Sequence, residues 1–396
     1  MKNLAFNRRA STIGEINALY YIRDQLDKED IQHQVDYFDW FSILSLLIRM
    51  TYIIIFVYLI MFRQILVIIL FFFLKNMFRK TREYSLIPNE NSKNIEAKVT
   101  AKYPTENRPV IIFTAHYDSV SAILPYRIQT FFFIFYKTIS VLYIGFIGFL
   151  LGWSFMQMFS IVPPSTVFTI LTIISSIVGI VISIPLLIVV FYDRPSTGSI
   201  DNASGVSVLL ELAKKINKDP LENTDVIFLF TGAEEWGMKG SKHYTQTYFN
   251  KLNRKYDLDK SVNINIDMVG TYIGLLDKTG LLKSRINYEL NDIIEYSAEE
   301  LAIPIEKFSK LKAPQSDYKP FKIFTKKTKG NFQVACFYSD KDSQYIHSFQ
   351  DSPDKCSSEI MNGCVDICSN AIRILDAKHF KVKLEELKKN QIISAA

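Results

Sequence analysis

Acidic residues and histidines follow the short apolar runs of this sequence at regular places. The runs VIIF, VIFLF and VNINI are each followed within a few residues by a carboxylate or an imidazole, and a histidine lies further beyond the run VACFY. The residues placed in this way, together with the aspartate that opens the DNASG stretch, are His116, Asp118, Asp201, Glu234, Glu235, Asp267 and His347. The carboxyl ends of parallel strands share one edge of a sheet, where ligands bind. We therefore expect these side chains to converge.

Converging carboxylates repel one another unless a cation holds them together. Two imidazoles with three or more carboxylates form a nitrogen and oxygen donor set that suits zinc. The number of donors predicts two metal ions, one bridging carboxylate and a base that is not a ligand. The neighbours Glu234 and Glu235 can divide into base and ligand, and Asp118 can orient His116 through its second ring nitrogen. Taken singly, each residue also has a structural interpretation, such as a helix cap for DNASG.

The surrounding elements alternate between helix and strand. The stretch STIGEINALYYIRDQL predicts a helix opened by a capping box of Thr12 and Glu15. IQHQVDY and NIEAKVTAKY alternate as half-buried strands do, and the runs at 110–113, 226–230, 262–266 and 334–338 are typical of central parallel strands. The pattern predicts an α/β fold, a three-layer sandwich around a mainly parallel mixed sheet.

Two apolar regions interrupt this pattern. No charged residue occurs between Thr138 and Tyr192, and the stretch divides at MFSIVPPST into runs of about 20 residues, the length of a membrane-spanning helix. We predict a transmembrane hairpin within 131–192. The region 41–75 is also apolar but contains Arg49 and Arg63, which predicts a helical pair or a re-entrant segment. Basic flanks and the lack of a signal peptide then predict a multi-pass protein of the cell membrane, with the lipid bilayer as partner and the catalytic domain in the cytoplasm.

The composition excludes some classes of protein. The chain has 396 residues, a net charge of +6 and no arginine-rich stripe, so nucleic acid is not an expected partner. The four cysteines fall in the last quarter without a CxxC pair, which favours ordinary buried thiols over a disulfide or a metal site.

Several motifs together resemble the co-catalytic zinc exopeptidases related to aminopeptidase S, aminopeptidase Y and glutamate carboxypeptidase II. They are TAHYDSV, DNASGVSVLLELA, FTGAEEWGMKGS, NIDMVG and IHSFQDSPDK. The resemblance implies two Zn²⁺ ions, although other divalent ions are possible, and a peptide substrate. It makes Asp201 the bridging ligand and Glu234 the general acid/base, with Asp118 orienting His116. The remaining ligands would be His116 and Asp267 for one ion and Glu235 and His347 for the other.

The resemblance and the two apolar regions together predict how the chain is divided, although in the family a short loop joins the segments of Asp118 and Asp201 where this chain has the predicted hairpin. A peptidase domain would comprise 1–40, 76–130 and 193–380, with the two membrane insertions at 41–75 and 131–192 and a tail at 381–396. The expected activity is that of a membrane-anchored aminopeptidase. Carboxypeptidase action, glutaminyl cyclisation on the same fold and a non-enzymatic scaffold remain as alternatives.

Overall fold

The computed structural model of the chain describes residues 1–40, 90–120, 131, 138, 142, 145–146, 148–150, 152–157, 159–163, 165–174 and 196–394, with side chains as far as residue 378. The chain forms two compact units. The first comprises Met1–Phe38, Asn91–Ser121 and Pro195–Ala396, and the second comprises Asp39–Glu90 and Ala122–Arg194.

The strands form one mixed sheet. Their bounds are β1 His33–Trp40, β2 Glu90–Val99, β3 Val110–His116, β4 Asp225–Thr231, β5 Val262–Ile266, β6 Gly274–Thr279, β7 Ser284–Arg285, β8 Glu306–Lys310 and β9 Gln333–Phe337. The strand order is β1-β2-β4-β3-β5-β9-β6-β7, and β8 pairs with β6. The strands β4, β3, β5 and β9 run parallel to one another, whereas β2 runs antiparallel to β4 and β6 runs antiparallel to β9. The four predicted apolar runs therefore lie side by side, with their carboxyl ends at one edge.

Helices cover the sheet. Their bounds are α1 Ile13–Asp27, α2 Gly205–Lys218, α3 Lys239–Lys255, α4 Leu290–Glu300, α5 Tyr318–Lys327 and α6 Ser358–Ser394. On one side of the sheet, α1, α2, α4 and α6 share a continuous apolar core with the alternate residues of β3 and β5. Elsewhere α3 and α5 pack against each other through aromatic pairs such as Phe249 and Phe324, whose ring centroids lie 5.0 Å apart. The mixed α/β sheet agrees with the sequence prediction.

The first helix begins as predicted, with a different capping bond. Thr12 is the N-cap residue of α1, but its side chain makes no capping hydrogen bond. Glu15 reaches back to accept the backbone N–H of Ser11 at 2.7 Å. The helix signal was therefore correct, although the reciprocal pair of a full capping box does not form.

The membrane part of the fold prediction is wrong for the residues that the structure describes. None of the helices there is long and apolar enough to span a membrane. In the second unit, the helical residues at 152–157 and 166–174 are separated by a turn at 159–160 and bends at 161–162.

The same finding contradicts the predicted localisation as a multi-pass membrane protein. The insertion predicted at 41–75 and most of the one predicted at 131–192 lie outside the described residues. Nothing in the described ranges supports the lipid bilayer as a partner.

The four cysteines are free thiols, and Cys336, Cys364 and Cys368 are buried. This agrees with the sequence interpretation of ordinary core residues.

Candidate metal centre

His116 is the last residue of β3, where the strand delivers it to the carboxyl edge of the sheet. Its Nε2 atom lies 2.9 Å from Oδ1 of Asp201 and 3.5 Å from Oδ1 of Asp267, which follows the end of β5. Its Nδ1 atom lies 3.2 Å from the backbone carbonyl oxygen of Asp118. The Nδ1 side of the ring thus contacts the Asp118 carbonyl, while Nε2 faces the carboxylates of Asp201 and Asp267.

His347 meets the same cluster from the loop beyond β9. Its Nε2 atom lies 3.1 Å from Oδ2 of Asp201 and 3.0 Å from Oε2 of Glu235. The two oxygens of Asp201 therefore face different histidines. This is the arrangement that a carboxylate needs in order to bridge two cations.

Among the residues that the structure describes, two groups of side chains could hold a metal ion, and they share Asp201. One group is His116, Asp201 and Asp267, and the other is Asp201, Glu235 and His347; within each, the ligand atoms lie within 4.8 Å of one another. All five predicted metal ligands are in these groups. Glu234 and Asp118 lie beside the groups and belong to neither.

The residues fit a divalent cation on two counts. Within the described ranges, Oε1 of Glu235 and Oδ1 of Asp267 are buried and have no hydrogen-bond partner. An unpaired buried carboxylate oxygen is costly unless a cation satisfies it. A donor set of imidazole nitrogen and carboxylate oxygen also suits zinc.

The charges in the cluster perturb each other's protonation. Burial opposes a charge on His116, but Asp118, Asp201 and Asp267 outweigh it and raise the pKa of His116 well above its ordinary value. Burial alone would raise the pKa of Asp201, yet His116 and His347 together lower it. The carboxylates of the cluster thus favour positive charge on the two histidines.

Glu234 and Glu235 lie in the loop after β4, and the side chain of Asp118 contacts the backbone of this loop. The Asp118 carboxylate accepts the backbone N–H of Glu234 at 2.9 Å and that of Glu235 at 3.3 Å. It lies 3.6 Å from Nδ1 of His116, which is longer than a hydrogen bond. Asp118 therefore positions the glutamate pair directly, and its contact with His116 runs mainly through its own carbonyl group.

Burial raises the pKa of Glu234 well above its ordinary value, and the nearby charges of Asp317, Glu235 and Asp267 add to this effect, while His116 opposes it. Asp317 itself is fully buried and accepts a hydrogen bond from the hydroxyl of Thr231. Burial and neighbouring charge raise the pKa of Asp317 to about 6. Several carboxylates in this pocket therefore tend to hold protons.

The loop that carries Asp201 is anchored on both sides. In the short turn Ser199–Ser204, Asp201 and Asn202 depart from helical geometry, and their peptide bond is cis. The side chain of Asn202 accepts the backbone N–H of Met268 at 3.1 Å and donates to the carbonyl of Ile266 at 2.9 Å. This pairing ties the Asp201 loop to the end of β5 and so places Asp201 beside Asp267.

Sequence reasoning missed one residue that supports Asp201. The carboxylate of Asp351 accepts the backbone N–H of Ile200 at 2.6 Å and that of Asp201 at 3.3 Å. Burial, followed by the charge of Asp201, raises the pKa of Asp351 to about 7. Asp351 lies in the IHSFQDSPDK motif, so the motif contained a signal, but no spacing rule links it to a loop 150 residues away.

Much of the segment that carries this site matches a known protein family. Residues 183–372 match the model described as peptidase family M28. The predicted kinship with the zinc exopeptidases is confirmed. Within the M28 match lie four of the five candidate ligands, and His116 precedes it.

A segment of 76 residues is 42% identical to aminopeptidase YwaD of Bacillus subtilis; it covers 19% of this chain and 16% of that protein. A segment of 79 residues is 38% identical to a probable zinc metalloprotease of Pyrenophora tritici-repentis, covering 20% of this chain and 17% of that protein. These matches and the M28 match support the predicted enzyme class, a zinc metallopeptidase, and they imply zinc as the metal. The segments span about a sixth of each relative.

One solved structure extends the similarity of fold over most of the chain. The glutaminyl cyclase of Bacteroides thetaiotaomicron, bound to N-acetylhistamine, has a TM-score of 0.53 and 12% identity, with 94% of each chain covered. At this identity the likeness concerns the fold alone.

Proposed function

We propose that this chain is a two-zinc aminopeptidase that removes N-terminal residues from peptides. The observation that carries the proposal is the pair of ligand groups that share the buried Asp201. The match to family M28 and the local similarity to a Bacillus subtilis aminopeptidase support peptide hydrolysis as the reaction.

In this proposal Asp201 bridges two ions, because its two oxygens face different histidines. His116 and Asp267 complete one site. Glu235 and His347 complete the other. Asp118 orients the loop of the glutamate pair through two backbone hydrogen bonds.

Glu234 is the proposed general acid/base. Zinc, when bound, supplies a Lewis acid that makes water more acidic and stabilises developing negative charge. Glu234 lies next to the ligand groups without belonging to them, and only 7% of its surface is exposed. The direction in which burial moves its pKa, upward, suits a carboxylate that must take up a proton and return it to the leaving amine.

Glutaminyl cyclisation is the second candidate, favoured by the coverage of the Bacteroides cyclase fold along the chain. It would convert an N-terminal glutamine without cleaving a peptide bond. The two reactions therefore give different products from the same peptide.

The test is an assay of the purified protein with zinc on four related peptides. One has free ends, one is blocked at the N-terminus, one is amidated at the C-terminus, and one begins with glutamine. Mass spectrometry identifies the products, and Glu234→Gln serves as the matched inactive control.

An aminopeptidase shortens the free and the amidated peptides from the N-terminus and spares the blocked one. Shortening from the C-terminus would assign the chain to the carboxypeptidases. Loss of ammonia from the glutamine peptide, without shortening of the others, would favour the cyclase. If none of the four peptides gives a product, the aminopeptidase, carboxypeptidase and cyclase assignments are all refuted.

A further inference from the structure

Arg8 lies in the segment before α1 and is fully buried. Its guanidinium donates hydrogen bonds to main-chain carbonyls. The acceptors are Tyr117 at 2.8 Å, Thr197 at 2.8 Å, Gly198 at 2.8 Å, Phe6 at 3.1 Å, and Leu4. A buried guanidinium must have its N–H groups satisfied, and these carbonyls satisfy them.

These acceptors belong to the two loops that carry metal-ligand candidates. Tyr117 stands between His116 and Asp118, and its carbonyl accepts from Nε of Arg8. Thr197 and Gly198 lead into the turn that contains Asp201, and their carbonyls accept from the two terminal nitrogens. One side chain therefore joins two loops that are about 80 residues apart in the chain.

The main chain of Arg8 strengthens the contact with the first loop. Its N–H donates to the hydroxyl of Ser119 at 3.0 Å, and its carbonyl accepts the N–H of Ser119 at 3.3 Å. On the second loop, a Cβ at Gly198 would lie 2.9 Å from Nη2 of Arg8, and Gly198 has a φ of +56°. Glycine at this position thus lets the backbone approach the guanidinium in a left-handed conformation.

The position of Arg8 also matters for charge. Burial lowers its pKa to about 10, although the charges of Asp351, Asp118 and Asp201 act to raise it. The guanidinium therefore stays charged at neutral pH. A fixed positive charge lies behind the carboxylate cluster and limits the repulsion among its members.

We propose that Arg8 is a positioning residue of the metal centre, which fixes the Asp201 loop against the His116 loop at the spacing that the shared ligand requires. This inference rests on the proposed function insofar as the cluster binds zinc. Arg8 touches neither substrate nor metal in this scheme; it acts through the main chain of both loops.

The test compares Arg8→Ala and Arg8→Lys with Arg108→Ala. Arg108 is a largely buried arginine near the start of β3, and its guanidinium pairs with Asp225 at 2.7 Å and 2.8 Å instead of joining ligand loops. Zinc affinity is measured by calorimetric titration of the metal-free proteins, and thermal unfolding of the same metal-free samples reports general damage. Guanidinium chloride at low millimolar concentration is then added to each alanine variant.

We expect zinc affinity to fall by about 10- to 100-fold in both Arg8 variants, as for other groups that orient ligands. Lysine should not substitute, because one ammonium cannot reach both loops. Free guanidinium should restore zinc affinity to Arg8→Ala. Arg108→Ala should unfold at a lower temperature but keep wild-type zinc affinity.

Equal zinc affinity in wild type and both Arg8 variants would overturn the proposal, whatever happens to the unfolding temperature. If Arg8→Ala does not fold, Arg8→Lys gives the same decision, since it keeps the charge and loses only the bridging geometry. A wild-type protein that binds no zinc would refute the proposed function and this inference with it, which separates that failure from the failure of Arg8 alone.

Discussion

The two ends of β4 carry buried carboxylates with opposite surroundings. At the start of the strand, Asp225 is fully buried and accepts from Arg108 at 2.7 Å, from Lys98 at 2.9 Å and from the Tyr256 hydroxyl at 2.9 Å. At the end of the strand, Glu235 shares a pocket with Asp201 and Asp267. The nitrogens closest to those carboxylates belong to two histidines.

The negative charge of buried carboxylates is thus compensated differently at the two ends of this strand. Taking a carboxylate out of water is unfavourable unless a partner compensates it. The chain supplies that partner itself at the Asp225 end. At the other end, carboxylate oxygens remain without a hydrogen-bond partner in the described part of the chain, and under the proposed function a cation from solution completes the balance. The substitutions that impair zinc binding and the proposed activity should therefore differ from those that lower the stability of the fold.

The largest effect is expected for Asp201→Asn. Loss of the shared carboxylate should release both zinc ions and reduce peptidase activity to background, because each ion would lose a ligand and its compensating charge. Elemental analysis and the peptide assay measure this. A variant that keeps both ions would move the bridge to another residue.

Glu234→Gln should separate chemistry from metal binding. We expect activity to fall by about 10²- to 10⁴-fold, the usual contribution of a general acid or base. Zinc content should stay at the wild-type level, because Glu234 belongs to neither ligand group. Release of zinc from this variant would show that Glu234 is a ligand and would contradict the proposed role.

Asp225→Asn tests the other end of the strand. It should lower the free energy of unfolding at neutral pH by about 3 kcal/mol, because Arg108 and Lys98 would lose their buried partner. Zinc affinity should not change. Urea unfolding and calorimetric titration measure the two quantities, and a loss of zinc affinity without a loss of stability would invert the comparison.

The stabilising effect of Asp225 should also depend on pH. Burial works against its charge, but hydrogen bonds from Arg108 and Lys98 outweigh burial and lower the pKa of Asp225 from 3.8 to about 2. A carboxylate whose pKa is lower in the folded state stabilises the fold above its unfolded pKa and loses that effect as pH falls through its folded pKa. The stability difference between metal-free wild type and Asp225→Asn should therefore be constant above pH 4 and shrink toward pH 2.

Much of this site was readable from sequence because parallel strands impose a shared edge. His116 ends β3 and Asp267 directly follows β5, so their convergence follows once those strands are recognised. The short strands β6 and β8 were missed because GLLDKT and EKFSK carry no clear alternation of polar and apolar residues. Their place in the sheet depends on pairing with β9 and with each other.

Other features could not be read from sequence for physical reasons. Arg8 acts on main-chain carbonyls, which every residue has, so no motif reports its partners. Asp351 likewise acts on backbone N–H groups of the Asp201 loop.

The smallest effect is expected for His243→Ala. His243 follows the glutamate pair in sequence and is a tempting extra ligand, but it lies on α3, where its Nε2 atom is 3.1 Å from Oδ2 of Asp36. Its ring stacks on Phe38, with centroids 5.1 Å apart. These contacts point it toward β1 at one end of the strand order, whereas the ligand groups lie around β3 and β5.

We expect full zinc content, near wild-type activity and a stability loss of about 1 kcal/mol or less, the scale of a partly exposed ion pair. Zinc analysis, the peptide assay and urea unfolding measure all three. A His243→Ala protein without zinc would require a different ligand set, and the contrast between the two ends of β4 would then have to be redrawn around it.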